Sequence, residues 1–225
     1  MGWFDKKRND SSAPLPDARD AIDAYWDAIG TSDDDVISYM INPMFQGAPA
    51  WPNIRQAYSV VRRADTVIIT SDGLADPSSE NDALPIGFGC EVYIESPELV
   101  GASFEDLKYS WLFAAVELFA QNVAGMQGIS DHLRQYGVAS MELPMDPEYT
   151  PAEFMTEHGT VGALIGLPAA GRASQVNTAG GVVDIVPLTI ITTAELQTVL
   201  DKGQAGRDEV AAHRQRTGTG HLTVR

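Results

Sequence analysis

The sequence feature that most constrains the fold is an alternation of residue types over positions 87–95. Apolar side chains take one parity of this run: Phe88, Cys90, Val92 and Ile94. The other parity holds a glycine, two acids and a tyrosine: Gly89, Glu91, Tyr93 and Glu95. A period of two predicts a β-strand with one buried face. A second β-rich run at 66–71 comes before it, and a polar segment that begins with Asp72 and Gly73 separates the two.

Helical and strand-like patterns alternate along the rest of the chain. Apolar stripes at helical spacing predict helices at 17–29, 104–123, 129–135, 192–202 and 207–216. Two capping boxes support helix starts: Ser103 with Asp106, and Thr192 with Glu195. Further strands are predicted at 57–61, 138–143, 162–167 and 181–191. These patterns indicate a soluble domain of mixed α and β structure.

The predicted domain spans residues 17–210. With 225 residues and 44% hydrophobic content, the chain can form a substantial core. A serine- and proline-rich stretch at 9–16 predicts that 1–16 is a flexible N-terminal segment. Residues 211–225 end in a run of small and polar residues and are expected to form a loose C-terminal tail.

The net charge of −16 restricts the classes of partner. A strongly acidic protein repels phosphate backbones, so we expect no nucleic-acid partner. No apolar run approaches the ~20 residues that a membrane-spanning helix needs, and the N-terminus lacks a signal-peptide core. We expect no membrane partner and a cytoplasmic location. The lone Cys90 excludes an internal disulfide framework.

No arrangement of residues in the sequence indicates catalysis, and we expect no cofactor and no metal. The four histidines are scattered without metal-ligand spacing, and no nucleophile elbow or phosphate-binding loop is present. Glu91 and Glu95 would lie ~13 Å apart on a strand. That is beyond the roughly 5–9.5 Å of a glycosidase carboxylate pair. Asp72 and Asp76 flank a turn, where aspartates commonly bond to the backbone.

Several segments, in order, resemble those of suppressor of fused-like domains. They are TVIITSDGLADP at 66–77, IGFGCEVYIE at 86–95, YGVASMEL at 136–143, GTVGALIGL at 159–167 and PLTIITTAELQTVLDKG at 187–203, with the helix around Trp111. The resemblance covers about 51–207. The order and spacing of these segments carry the resemblance, since no single motif is diagnostic. One departure is Ala75, where the family turn usually has serine.

The resemblance implies a fold and a function. The fold is of the α+β class, with a central mixed or mainly antiparallel sheet flanked by helices in a single suppressor of fused-like domain. Animal members regulate the Hedgehog pathway by gripping an extended peptide of a transcription factor. This chain looks like the shorter bacterial type, and many bacterial relatives are thought to be immunity proteins that neutralise a toxin domain in the same cell.

The expected function is therefore non-enzymatic protein binding, with a basic toxin domain as the partner. One alternative is a regulatory scaffold that holds an extended peptide of a partner protein, and another is a hydrolase. The predicted partner-binding residues lie in the turn and on the polar face of the strand: Asp72, Asp76, Glu91, Tyr93 and Glu95.

Overall fold

The computed structural model describes residues 14–78 and 85–225. Residues 1–13 of the predicted N-terminal segment lie outside this part of the chain. So do residues 79–84, in the middle of the predicted turn-rich segment. Pro16, at the end of the predicted N-terminal segment, accepts a hydrogen bond from the backbone N–H of Ala179 at 2.8 Å.

Helices and strands alternate along the described residues as the sequence predicts. The α-helices are α1 Ala18–Asp27, α2 Phe104–Lys108, α3 Trp111–Met126, α4 Ile129–Tyr136, α5 Thr193–Lys202 and α6 Gln204–Thr217. The strands are β1 Thr31–Ser32, β2 Ile37–Ser38, β3 Ala57–Arg62, β4 Val67–Asp72, β5 Cys90–Ser96, β6 Ala139–Pro144, β7 Thr160–Ile165, β8 Gln175–Thr178 and β9 Gly181–Ile191. The predicted α+β class is confirmed.

The nine strands in the described part of the chain belong to one sheet. Its order is β1-β3-β4-β5-β9-β7-β6, with β2 also paired to β3 and β8 to β9. The pairing of β5 with β9 is parallel, and the other pairings are antiparallel. The sheet is therefore mixed and mainly antiparallel, and β5 lies at its centre.

Helices cover both faces of the sheet at β5. On one face Cys90, Val92 and Ile94 pack with α3. On the other face Tyr93 packs with Trp26 of α1, and farther along the sheet α5 and α6 cover the outer strands. Every residue of β5 is buried, so the prediction of one buried face is wrong. The parity of the strand is correct, but its polar parity faces a second, smaller core.

The predicted helix at 104–123 is two helices, α2 and α3. Ser103 and Asp106 form the predicted capping box at the start of α2. The helix ends at Tyr109, and Ser110 then caps α3 by accepting a hydrogen bond from the backbone N–H of Phe113 at 3.1 Å. A serine inside an apolar stripe thus begins a new helix, because its hydroxyl satisfies an otherwise unpaired donor. Thr192 and Glu195 form the second predicted capping box, at the start of α5.

The expectation of a loose tail over 211–225 is wrong. Helix α6 continues to Thr217, and the residues after it pack against the sheet. The backbone N–H of Thr223 donates to the carbonyl of Glu95 at 2.9 Å, and the hydroxyl of Thr223 accepts from the N–H of Ile190 at 3.0 Å. Thr223 has no exposed surface. We call residues 218–225 the C-terminal segment.

The hydroxyl of Thr223 gives a direct test of this anchoring. Thr223→Val keeps the shape of the side chain but leaves the buried N–H of Ile190 without an acceptor. We expect a loss of about 1–3 kcal/mol in the free energy of unfolding, measured by urea denaturation. Thr217→Val is the matched control, since Thr217 is exposed, and it should change little. Equal effects of the two substitutions would contradict the anchoring.

Candidate functional site

The predicted partner-binding residues separate into a half-buried pair and a buried trio. Glu91, Tyr93 and Glu95 share one face of β5 and are at most 2% exposed. The prediction that they present an exposed polar face is wrong: α1 packs on Tyr93, the C-terminal segment contacts Glu95, and the turn at 73–75 bonds Glu91. Asp72 and Asp76 keep part of their surface in solvent. Their role in partner binding stays a prediction.

Arg55 joins the two aspartates. Its guanidinium bonds both carboxylate oxygens of Asp72, and its Nη1 lies 3.6 Å from Oδ2 of Asp76. The hydroxyl of Ser59 adds a hydrogen bond to Asp72 at 3.0 Å. The structure thus brings Asp72 and Asp76 together through Arg55. No local sequence pattern points to Arg55, because it lies in an irregular stretch 17 residues before Asp72.

Glu91 holds the turn below this pair. Its Oε1 accepts hydrogen bonds from the backbone N–H groups of Gly73 at 3.1 Å and Ala75 at 2.9 Å, and its Oε2 bonds the hydroxyl of Ser71. Burial raises the pKa of Glu91 to about 8, although hydrogen bonds from Ser71 and from the backbone of Ala75 and Gly73 act against this rise. Gly73 has a φ of +135°, and a side chain there would meet the carbonyl of Arg55. The turn is therefore built around a buried carboxyl group whose raised pKa favours its protonated form.

This protonation predicts a pH dependence of stability. The pKa of Glu91 is about 8 in the folded state against an ordinary value of 4.5. Between these values the folded state keeps a proton that the unfolded chain has lost, so Glu91 makes the free energy of unfolding fall as pH rises. In Glu91→Gln a neutral amide replaces the neutral acid, and this contribution is absent. We expect the variant to gain stability relative to wild type as pH rises from 4.5 to about 8, measured by urea denaturation across that range.

Glu157→Gln is the control, because Glu157 is exposed on the surface. It should follow the pH dependence of wild type. A Glu91→Gln protein that also follows wild type at every pH would show that Glu91 is ionised in the folded state at neutral pH.

Glu95 is the centre of a second cluster, and four donors converge on it. Its Oε1 accepts from Arg63 at 2.8 Å and Thr66 at 2.6 Å, and its Oε2 accepts from Arg172 and pairs with Nε2 of His221 at 2.8 Å. Burial alone would raise the pKa of Glu95, but the hydrogen bonds from His221 and Thr66 and the charge of Arg172 lower it to about 2. Glu95 is therefore a charged group inside the protein at neutral pH. The cluster joins β5 to the β3–β4 turn, the loop before β8 and the C-terminal segment.

Removal of this charge should destabilise the fold. Glu95→Gln leaves Arg63 and Arg172 without their buried counter-ion, and we expect a loss of about 3–5 kcal/mol in the free energy of unfolding. Glu98→Gln is the control: Glu98 is partly exposed and pairs with Arg225, and its loss should cost under about 1 kcal/mol. The stabilisation by Glu95 should also disappear in acid, as pH falls from 4.5 through about 2. Similar losses of stability in both variants would contradict the role of Glu95 as the buried counter-ion of Arg63 and Arg172.

A separate region exposes large apolar side chains. The segment between β2 and β3 contains a 3₁₀ turn at Pro43–Gln46, and we call its exposed apolar residues the apolar loop surface: Met40, Ile41, Phe45 and Ile54. Phe45 is 68% exposed and Ile54 is 67% exposed. The side chain of Asn42 donates to the carbonyl of Ile54 at 2.6 Å and joins the two ends of the segment. The sequence does not predict this surface, because the prolines of the segment show only that it is irregular.

The chemistry of the described residues offers no metal centre. Across residues 14–78 and 85–225, no three His, Cys, Asp or Glu side chains are grouped so that they could hold a metal ion. None of the helices in this part of the chain has the length and apolar character needed to cross a membrane.

No known protein-family model matches the sequence, and a search of curated proteins gives no significant match.

Proposed function

We propose that this chain is a non-enzymatic, cytoplasmic protein-binding domain of the suppressor of fused-like type. The apolar loop surface is the observation that carries this proposal. Met40 is fully exposed, and Ile41, Phe45 and Ile54 each expose 60% or more of their surface. Large apolar side chains that are exposed in one segment mark a site of association, because burial against a partner removes them from water.

Charge favours a basic partner. The protein has a net charge of −16, and Asp34 and Asp35 are exposed just before β2, which leads into the apolar loop surface. An apolar centre with charged residues around it is the usual anatomy of a protein interface. Opposite charge on the partner accelerates encounter and disfavours acidic competitors.

Together with the family resemblance, these features support an immunity protein that neutralises a basic toxin domain in the same cell. Asp72 and Asp76 remain candidate contacts at the edge of the interface. Their carboxylates are half-buried and bound to Arg55, so they would contribute less than the apolar anchors.

A co-expression experiment tests this proposal. The toxin-like gene that neighbours this one is expressed with and without the protein, and cell growth is measured. We expect wild type to restore growth. Failure of wild type to restore growth with any neighbouring toxin-like gene would contradict the immunity function.

A single substitution tests the proposed surface. Phe45→Ser should weaken the rescue of growth, since the loss of an exposed aromatic anchor typically costs an interface about 2 kcal/mol or more. Tyr149→Ser is the matched control, because Tyr149 is 66% exposed but lies in a different loop, and it should rescue like wild type. Equal rescue by the two variants would exclude Phe45 from the interface.

A second candidate function is the regulatory scaffold that holds an extended peptide. Strand β6 supports it, since among the described residues β6 pairs only with β7. An unpaired edge can accept one more strand through backbone hydrogen bonds. A pull-down that returns a disordered peptide would favour this function, whereas a folded basic domain would favour the immunity function.

The hydrolase alternative requires acidic or histidine side chains that converge in a pocket. Glu95 and His221 meet that condition in part. We place protein binding ahead of hydrolysis because Glu95 is fully occupied by four hydrogen bonds, as in a structural ion cluster.

A further inference from the structure

A cleft opens beside the Glu95 cluster. Three segments form it: the β3–β4 turn with Arg63 and Thr66, the loop from Pro168 to Arg172, and the C-terminal segment with Thr219 and His221. Its volume is about 290 Å³. A second cleft of about 260 Å³ lies on the other side of the same loop and shares Pro168 and Arg172 with it.

The second cleft lies where the sheet divides. Strands β7 and β8 pair with the same side of β9 but with different parts of it, β7 with 188–191 and β8 with 181–184. The chain leaves the sheet between them, and the loop that carries Arg172 fills part of the gap. Arg172 lies in this loop, and it lines both clefts.

The two arginines at the first cleft have hydrogen-bond donors that Glu95 does not use. A guanidinium carries several N–H donors, and both Arg63 and Arg172 use only one nitrogen on Glu95. Nη1 of Arg172 is buried and has no hydrogen-bond partner among the described residues. Glu95 already accepts from four groups, and the other carboxylate at the cleft, that of Asp65, is exposed. A buried, unpaired cationic donor is costly, so an acceptor that entered the cleft would be stabilised there.

We propose that this cleft binds a small oxyanion, a phosphate or carboxylate group, through Arg63 and Arg172. Both arginines line the cleft, and the side chain of Arg63 is 31% exposed whereas that of Arg172 is 10% exposed. The volume is at the lower end for ligand pockets, so the ligand is a small molecule. This site is independent of the apolar loop surface and of the partner proposed for it.

Orthophosphate and acetate serve as the two probes. Each is added to the purified chain at constant ionic strength, with sodium chloride as compensation, and Tm is measured. We expect Tm to rise with the concentration of at least one probe, because a ligand of the folded state stabilises it. The stronger probe identifies the oxyanion. No rise with either probe would overturn the proposal.

Two neighbouring arginines provide a matched pair of variants. Arg62 and Arg63 each pair with one carboxylate, Asp33 and Glu95, and their side chains are equally exposed, at 31%. Only Arg63 lines the cleft. Arg63→Gln should weaken binding of the active probe about tenfold or more, the usual effect of losing a charge-assisted hydrogen bond. Arg62→Gln should bind like wild type, and equal affinities in the two variants would overturn the assignment.

A measurement on wild type avoids any loss of stability in the variants. Titration with the active probe, followed by backbone amide NMR, should shift resonances of 63–66, 170–172 and 219–222. Shifts confined to other parts of the chain would show that the anion binds elsewhere.

Discussion

The fold depends on a single buried carboxylate. Glu95 lies in the central strand, and its donors come from the β3–β4 turn, the loop before β8 and the C-terminal segment. Burial of a charge is expensive unless hydrogen bonds and opposite charges compensate for it, and here both do. Because the four donors belong to three different parts of the chain, the buried charge that they compensate also fixes where those parts meet.

Local patterns in the sequence predict much of the fold. The capping boxes at Ser103 and Thr192 and the alternation in β5 give correct helix starts and the correct strand parity, since caps and alternation are properties of neighbouring residues. The same patterns miss β1 and β2, which have two residues each and form only because β3 lies beside them. They also miss the break at Ser110, where tertiary packing decides whether a serine caps or continues a helix.

The candidate sites show a limit of a different kind. Glu91 and Glu95 have the same residue type and the same strand parity, and alternation assigns both to solvent. The structure buries both and gives them opposite pKa shifts, because Glu91 meets only neutral donors whereas Glu95 meets arginines and a histidine. Those partners are distant in sequence, so no local pattern identifies them. The apolar loop surface is also invisible to local patterns. Its side chains are exposed because no distant part of the described chain packs over them, and a local pattern cannot show that.

The contacts that β5 makes with distant parts of the chain, in its parallel pairing with β9 and at Glu95, have a consequence for how the protein folds. The donors to Glu95 lie between 29 and 126 positions away along the chain. During synthesis from the N-terminus, the carboxylate emerges long before Arg172 and His221 exist. Contacts of such long range form slowly, since loop closure must precede them. We therefore expect the edge of β5 that pairs with β9 to stay unpaired in the nascent protein until most of the domain has been made. Chaperones that recognise exposed strands would act in that interval.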